Sequence, residues 1–328
     1  MMEGTRQTVF VGIDVMKLLC ALLSVYLHTY NHDWGLIGDW VHTNLASIGV
    51  PFFFIVSGYF YTRGLQNSAN KWNYLQNYLK RVICMYLFWS VITLPVAWMN
   101  ICIAHGEYSL FMKVLYIIRC VFLTGSIGIY WYVLALIYNS VIMYYALKWK
   151  RKHLMYIFSL LFFIIGVLYN GGGINDTFIE KAIHVAIGSE RNFLNVGLFY
   201  MCIGSFIFEK NIILDKNLCI LLFICCLGIS SWQNSFSAYR IMQFPLAVLL
   251  FLFASQQRFA ITEDMSMKMR KWSTAIYLVH FPFILVFDYY LRKGTIIDFP
   301  LSVAFALILF YVISFLLPRQ YVKMIFGS

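Results

Sequence analysis

Ile13-Asp14-Val15-Met16-Lys17-Leu18-Leu19-Cys20-Ala21-Leu22-Leu23-Ser24-Val25-Tyr26-Leu27-His28 is an apolar run that carries ionisable groups only near its two ends. Lys17 precedes His28 by eleven residues. At about 100° per residue, eleven residues return to nearly the same helix face, about 16 Å further along the axis. One face of one membrane helix would then hold a cation near its inner end and an imidazole near its outer end. Ionisable groups inside a bilayer are expensive and are functional candidates by default. The stretch therefore reads both as the first span of a membrane bundle and as part of a site.

Composition extends that reading to the whole chain. Of its 328 residues, 61% are hydrophobic and 12% charged, and the mean hydropathy is +0.74. A soluble domain has about 25% charged residues. So much apolar surface cannot be hidden in one aqueous core, and the expected fold class is all-α, a polytopic transmembrane helical bundle. Apolar segments of crossing length are expected near 9–29, 45–62, 82–102, 130–147, 153–169, 193–208, 218–232, 241–255, 273–290 and 300–317. The run near 111–123 carries Lys113 and Arg119 and reads as an interfacial helix. Ten spans put both termini on one side. With the N-terminus inside, most of the 25 lysines and arginines fall inside, including Lys148, Lys150, Arg151 and Lys152. Outside remain Lys113, Arg119, Lys181, Arg191, Arg240, Arg292 and Lys293. This bias matches the positive-inside rule and favours N-in, C-in.

The formal charge of +11 would suggest nucleic acid only if it clustered on a soluble face; here it lies in short loops. The eight cysteines mostly fall inside apolar runs without CxxC spacing, so neither a disulfide framework nor a metal site is expected. Gly171-Gly172-Gly173 lacks the Lys-Ser/Thr of a phosphate loop and reads as a flexible outer loop. No small-residue cleavage site follows the first apolar run, so it is expected to be a retained helix. No repeat or linker divides the chain, and 1–328 reads as one integral-membrane domain.

The polar residues each admit a plain reading. His28 can bond water at a helix end. Lys17 can snorkel, or pair with Asp14 at i,i+3. The Ser57-Gly58 pair, in the segment that opens Gly49-Val50-Pro51, can let a neighbouring helix approach closely or can touch substrate. Lys80-Arg81 can be a topology signal or a phosphate-holding pair. His280 lies mid-segment, where a histidine needs a partner or a wet cavity.

In order and spacing, these residues resemble the membrane acyltransferase-3 family. The resemblance rests on Asp14-x-x-Lys17, His28, the Pro51-Phe52-Phe53-Phe54-x-x-Ser57-Gly58 run, Lys80-Arg81, Tyr130-Trp131-Tyr132, Arg191-Asn192 and Tyr277-Leu278-Val279-His280. It spans about 9–317. The resemblance implies ten spans and transfer of acyl groups from acyl-CoA to hydroxyls of extracytoplasmic sugars. The membrane portion of vancomycin-resistance serine racemases is a close relative of that family, and no racemase domain is expected here. By resemblance, His28 matches the essential histidine, Trp131 an aromatic of the family, and Tyr277 and His280 the closing motif. Lys17 occupies a position that is usually arginine. Lysine offers a point charge where arginine offers a planar fork.

The expected activity is O-acyl transfer, with acetyl the expected group, in the cytoplasmic membrane. The acceptor would be a hydroxyl of a cell-envelope glycan or glycolipid. His28 would serve as general base, since an imidazole of ordinary pKa about 6.5 can take a hydroxyl proton. Lys17, Lys80 and Arg81 would hold the CoA phosphates. Asp14, Ser57, Trp131, Arg191, Asn192, Tyr277 and His280 would line the site or bind substrate. No bound cofactor or metal is expected. The partners would be acyl-CoA as donor substrate, the acceptor and the lipid bilayer. The rival reading is a membrane transporter or exporter, of an amino acid such as serine or of a glycan, using His28 and Asp14 as polar relay groups.

Overall fold

The structure, a computed structural model, describes residues 10–31, 34–170, 192–232, 236–291 and 297–327. Among them every regular element is helical. The chain begins with α1 (Val11–Thr29) and a short α2 (Gly35–Asn44). A 3₁₀ turn, Ala46–Ile48, leads into α3 (Gly49–Asn67). Pro51 falls in the first turn of α3, where a missing N–H has no helical partner to lose.

The expected single span over 82–102 is broken. α4 (Lys71–Ile92) and α5 (Leu94–Ala104) meet at 59°. Pro95, at the start of α5, cannot donate to the carbonyl of Val91 and crowds it. At the break Thr93 donates from both its N–H and its Oγ1 to the carbonyl of Trp89.

The segment expected as an interfacial helix forms α6 (Leu110–Arg119), continued by a π-helical turn over Cys120–Thr124. No residue of α6 is buried. Then follow α7 (Trp131–Lys148) and α8 (Lys152–Asn170). A π-helical segment, Phe193–Leu198, runs into α9 (Phe199–Lys210). The rest are α10 (Lys216–Trp232), α11 (Phe236–Gln256), α12 (Glu263–Leu291), α13 (Asp298–Leu316) and α14 (Arg319–Phe326).

Helices lie over all ten expected segments, but fewer have the length to cross a bilayer. Six runs are long and apolar enough: Val11–Thr29, Gly35–Asn67, Leu110–Lys148, Phe193–Lys210, Glu263–Tyr290 and Asp298–Leu316. The bent α4–α5 pair makes a seventh if it counts as one span. Lys152–Leu168, Lys216–Trp232 and Ile241–Gln256 are shorter apolar helices. At 1.5 Å per residue, 17 residues reach about 25 Å, short of a hydrocarbon core of about 30 Å.

Two close packings set the frame. α3 and α9 form the most extensive helix pair, followed by α1 and α12. Small residues allow the first: a Cβ on Gly58 would stand 2.0 Å from the Met201 carbonyl oxygen, and one on Gly204 2.0 Å from that of Ile55. The Ser57-Gly58 pair is thus a helix-packing position, one of its two sequence readings. α14 was not anticipated from the sequence. It folds back so that Ile325 and Phe326 are buried, and Trp89 Nε1 donates to the Ile325 carbonyl at 2.9 Å.

Candidate active site

The Asp14 end of α1 is tied to α12 by a buried charge pair. Arg270 donates from Nε to Asp14 Oδ1 at 2.9 Å and from Nη2 to Oδ2 at 2.8 Å, and Ser266 Oγ donates to Oδ2 at 2.8 Å. The i,i+3 pairing of Asp14 with Lys17, one of the plain readings of these residues, does not form. The guanidinium fork reaching across from α12 matches both carboxylate oxygens at once, which an ammonium one turn away cannot do.

Lys17 instead lines a cavity of about 70 Å³ with Phe53, Met85, Tyr132, Ser273, Thr274 and Tyr277. Arg270 and Arg81 are near enough to Lys17 to act on it electrostatically. The cavity therefore lies in a cationic neighbourhood, with one carboxylate partly neutralising it. Arg81 is exposed at the α4 surface, one turn before Met85, with its guanidinium 5.6 Å from the Tyr78 ring centre. Lys80 is exposed and lines neither this cavity nor the next.

His28 occupies the last turn of α1 and lines a second cavity of about 190 Å³. Ser24, one turn earlier, lines it too, with Ser47, Val50, Pro51, Trp131, Gln243, Tyr277 and Phe281 among the other walls. No Asp, Glu, Lys or Arg is among the described residues lining it. The His28 ring centre is 4.5 Å from that of Phe281 and 5.5 Å from that of His280. His280 is fully buried, and its Nδ1 lies 2.8 Å from the Ile276 carbonyl oxygen. A carbonyl can only accept, so Nδ1 carries the proton and Nε2 is a bare acceptor. That Nε2 has no partner among the described residues.

Tyr277 is common to both cavities. Its ring centre lies 5.3 Å from Tyr132 and 5.7 Å from Phe53, so three aromatic side chains stand between the Lys17 and His28 ends. Local chain chemistry fixes this layer. Pro282 inside α12 cannot donate to the carbonyl of Leu278, and the Tyr130 hydroxyl donates to that oxygen instead, at 3.0 Å. Tyr277 donates to the Ile129 carbonyl at 2.7 Å. The segment before α7 is thereby clamped to α12, which sets Trp131 at the cavity wall. Ser57 Oγ is 3.0 Å from the Tyr132 hydroxyl and supports the layer from α3.

Asn192 lies elsewhere. Its Oδ1 accepts from the N–H groups of Leu194 and Asn195, both at 2.9 Å, and so caps the following helix. It lines neither cavity, although Val196, on that first turn, lines the larger. Arg191 lies outside the described residues. Sequence reading missed Arg270, Gln243 and Ser47. Only a cation excess on that side marked Arg270, and nothing marked the other two.

Two amino-acid racemases of Enterococcus faecalis are similar to the chain. One is 23% identical over 231 residues, covering 67% of this chain and 32% of the racemase. The other is 26% identical over 165 residues, covering 50% and 22% respectively. The chain thus spans a third or less of the length of these relatives. No solved structure matches. Residues 10–318 match the family model described as an acyltransferase domain, nearly the whole chain. With a multi-helix apolar architecture and that match, the chain belongs to this family of membrane acyltransferases.

Proposed function

We propose that the protein is a multi-pass enzyme of the cytoplasmic membrane, with N- and C-termini inside. It moves an acyl group, acetyl, from cytoplasmic acyl-CoA to a hydroxyl of an extracytoplasmic cell-envelope glycan or glycolipid. One observation carries the reading: Lys17 and His28, about 16 Å apart on one helix, open into two cavities that share the wall residue Tyr277. That separation is on the scale of a pantetheine arm. The cations Lys17, Arg81 and Arg270 suit the anionic nucleotide, whose phosphates a guanidinium or ammonium can hold. The small, aromatic-lined space around Tyr277 suits a short acyl group.

His28 acts as general base. It takes the proton of the acceptor hydroxyl as the oxygen attacks the thioester carbonyl. The tetrahedral intermediate collapses, the C–S bond breaks, and the CoA thiolate leaves to be protonated from the imidazolium. His280, with a fixed Nδ1–H tautomer beside His28, holds a second acceptor nitrogen at the same end of the bundle. Positioned acid–base groups contribute about 10²–10⁴-fold. Incubation of purified protein with radiolabelled acetyl-CoA and envelope glycan tests the reading. Free CoA together with labelled glycan is expected; no CoA release with any envelope fraction overturns it.

The racemase relatives motivate a second reading, passage of an amino acid along the same cavities without covalent chemistry. The uncharged lining of the His28 cavity disfavours it, because a zwitterion there would have no ionic partner among the described residues.

A further inference from the structure

The His28 cavity holds two polar groups that no internal contact explains. Ser47 is 7% exposed and Gln243 5% exposed, and both line this cavity. Neither the Ser47 Oγ nor the Gln243 Nε2 has a hydrogen-bond partner among the described residues. A buried polar atom left without a partner costs about 1–3 kcal/mol, so two of them on residues that line one cavity call for an occupant that pairs with both.

Their placement is built, not incidental. Ser47 lies in the 3₁₀ turn Ala46–Ile48, and Gln243 on α11. That turn, α11 and α1 pack pairwise against one another. Three elements in mutual contact therefore bring residues carrying a hydroxyl, a carboxamide and the His28 imidazole to one cavity of about 190 Å³. The Gln243 Nε2 can only donate, while the Ser47 hydroxyl can donate and accept. Absence of a charged lining among the described residues selects a neutral ligand. Trp131 adds a flat apolar wall to the same space.

We infer that Ser47 and Gln243 form the hydrogen-bonding subsite of the His28 cavity, holding oxygens of a neutral, polyhydroxylated acceptor so that one hydroxyl faces His28. This rests on the acyl-transfer reading for its purpose but not for its test. In this subsite Gln243 donates to a ring or hydroxyl oxygen of the acceptor. Ser47 exchanges a hydrogen bond with a neighbouring hydroxyl, and the apolar face of the acceptor lies toward Trp131. Both are binding residues; the proton transfer stays with His28.

Binding is measured without any acyl donor, on the full chain in nanodiscs, by ligand-observed NMR. The probes are methyl β-glucoside, methyl N-acetyl-β-glucosaminide, glycerol and, as the zwitterionic control, serine. The wild type is expected to bind at least one neutral probe more tightly than serine. Ser47→Ala and Gln243→Leu are each expected to weaken that binding about ten-fold, which corresponds to about 1.4 kcal/mol. If Gln243→Leu does not yield folded protein, Ser47→Ala alone decides. Unchanged affinity in the folded variants, tighter binding of serine, or no binding of any neutral probe by the wild type each overturns the subsite. An enzyme that turns over acetyl-CoA while both variants bind as the wild type would lose this subsite and keep the proposed reaction. A wild type that binds neutral probes through Ser47 and Gln243 but releases no CoA would do the reverse.

Discussion

Alanine at Gly204 should loosen the fold and the site together. A Cβ there would lie 2.0 Å from the Ile55 carbonyl oxygen and 2.7 Å from the Tyr59 nitrogen, both main-chain atoms of α3. Real contacts of this kind stay above 3.0 Å, so the two backbones must part by about 1 Å. Overpacking typically destabilises by about 1–3 kcal/mol. Main-chain atoms cannot swing aside as a side chain can, so the upper end, about 3 kcal/mol, is expected. Gly58→Ala meets the Met201 main chain in the same way and should behave alike. Gly228→Ala on α10 is the control, because nothing lies within 4 Å of its Cβ. It should be neutral or gain up to about 1 kcal/mol from helix propensity. Unfolding in mixed micelles with rising SDS, followed by tryptophan fluorescence, measures all three. Acyl transfer should fall in the first two, since α3 carries Val50 and Pro51 of one cavity and Phe53 of the other. A Gly204→Ala protein as stable as wild type and as Gly228→Ala would refute the close α3–α9 crossing.

Other outcomes follow from the two ends of α1. Lys17→Ala should weaken acetyl-CoA binding measured by calorimetry, while Lys17→Arg should keep or improve it through the bidentate fork; equal affinity in Lys17→Ala removes Lys17 from the donor site. Asp14→Asn strips Arg270 of its ion pair. Removing one member of a buried pair costs about 3–5 kcal/mol; with the Arg270 side chain 35% exposed, about 3 kcal/mol is expected. In unfolding experiments the Asp14→Asn/Arg270→Gln double variant should lose clearly less than the sum of the singles, and strict additivity would dissolve the pair. A cysteine introduced at position 150 of a cysteine-free protein should resist an impermeant reagent in intact cells, while one at position 173 should react; the opposite pattern inverts the proposed orientation.

Much of the helical layout was legible because hydropathy dominates it. Every expected apolar segment became a helix, and the two ionisable residues that the eleven-residue spacing singled out, Lys17 and His28, each line a cavity. What was not legible depends on partners far apart in sequence. Asp14 and Arg270 are 256 residues apart, so a local i,i+3 rule could offer Asp14 only Lys17 as a partner. Ser47 and Gln243 look like ordinary polar residues in apolar segments until packing encloses them without partners. The bend at Thr93 was readable from Pro95, yet hydropathy averaged across it. α14 is short, opens on Arg319-Gln320 and is interrupted by Lys323, so a search for long apolar runs passes over it.

The most direct test of the proposed reaction is single-turnover acetyl transfer by His28→Ala, with donor binding measured on the same preparation. If His28 is the general base, transfer should fall by about 10²–10⁴-fold while acetyl-CoA still binds. Near-wild-type transfer by His28→Ala would contradict the mechanism.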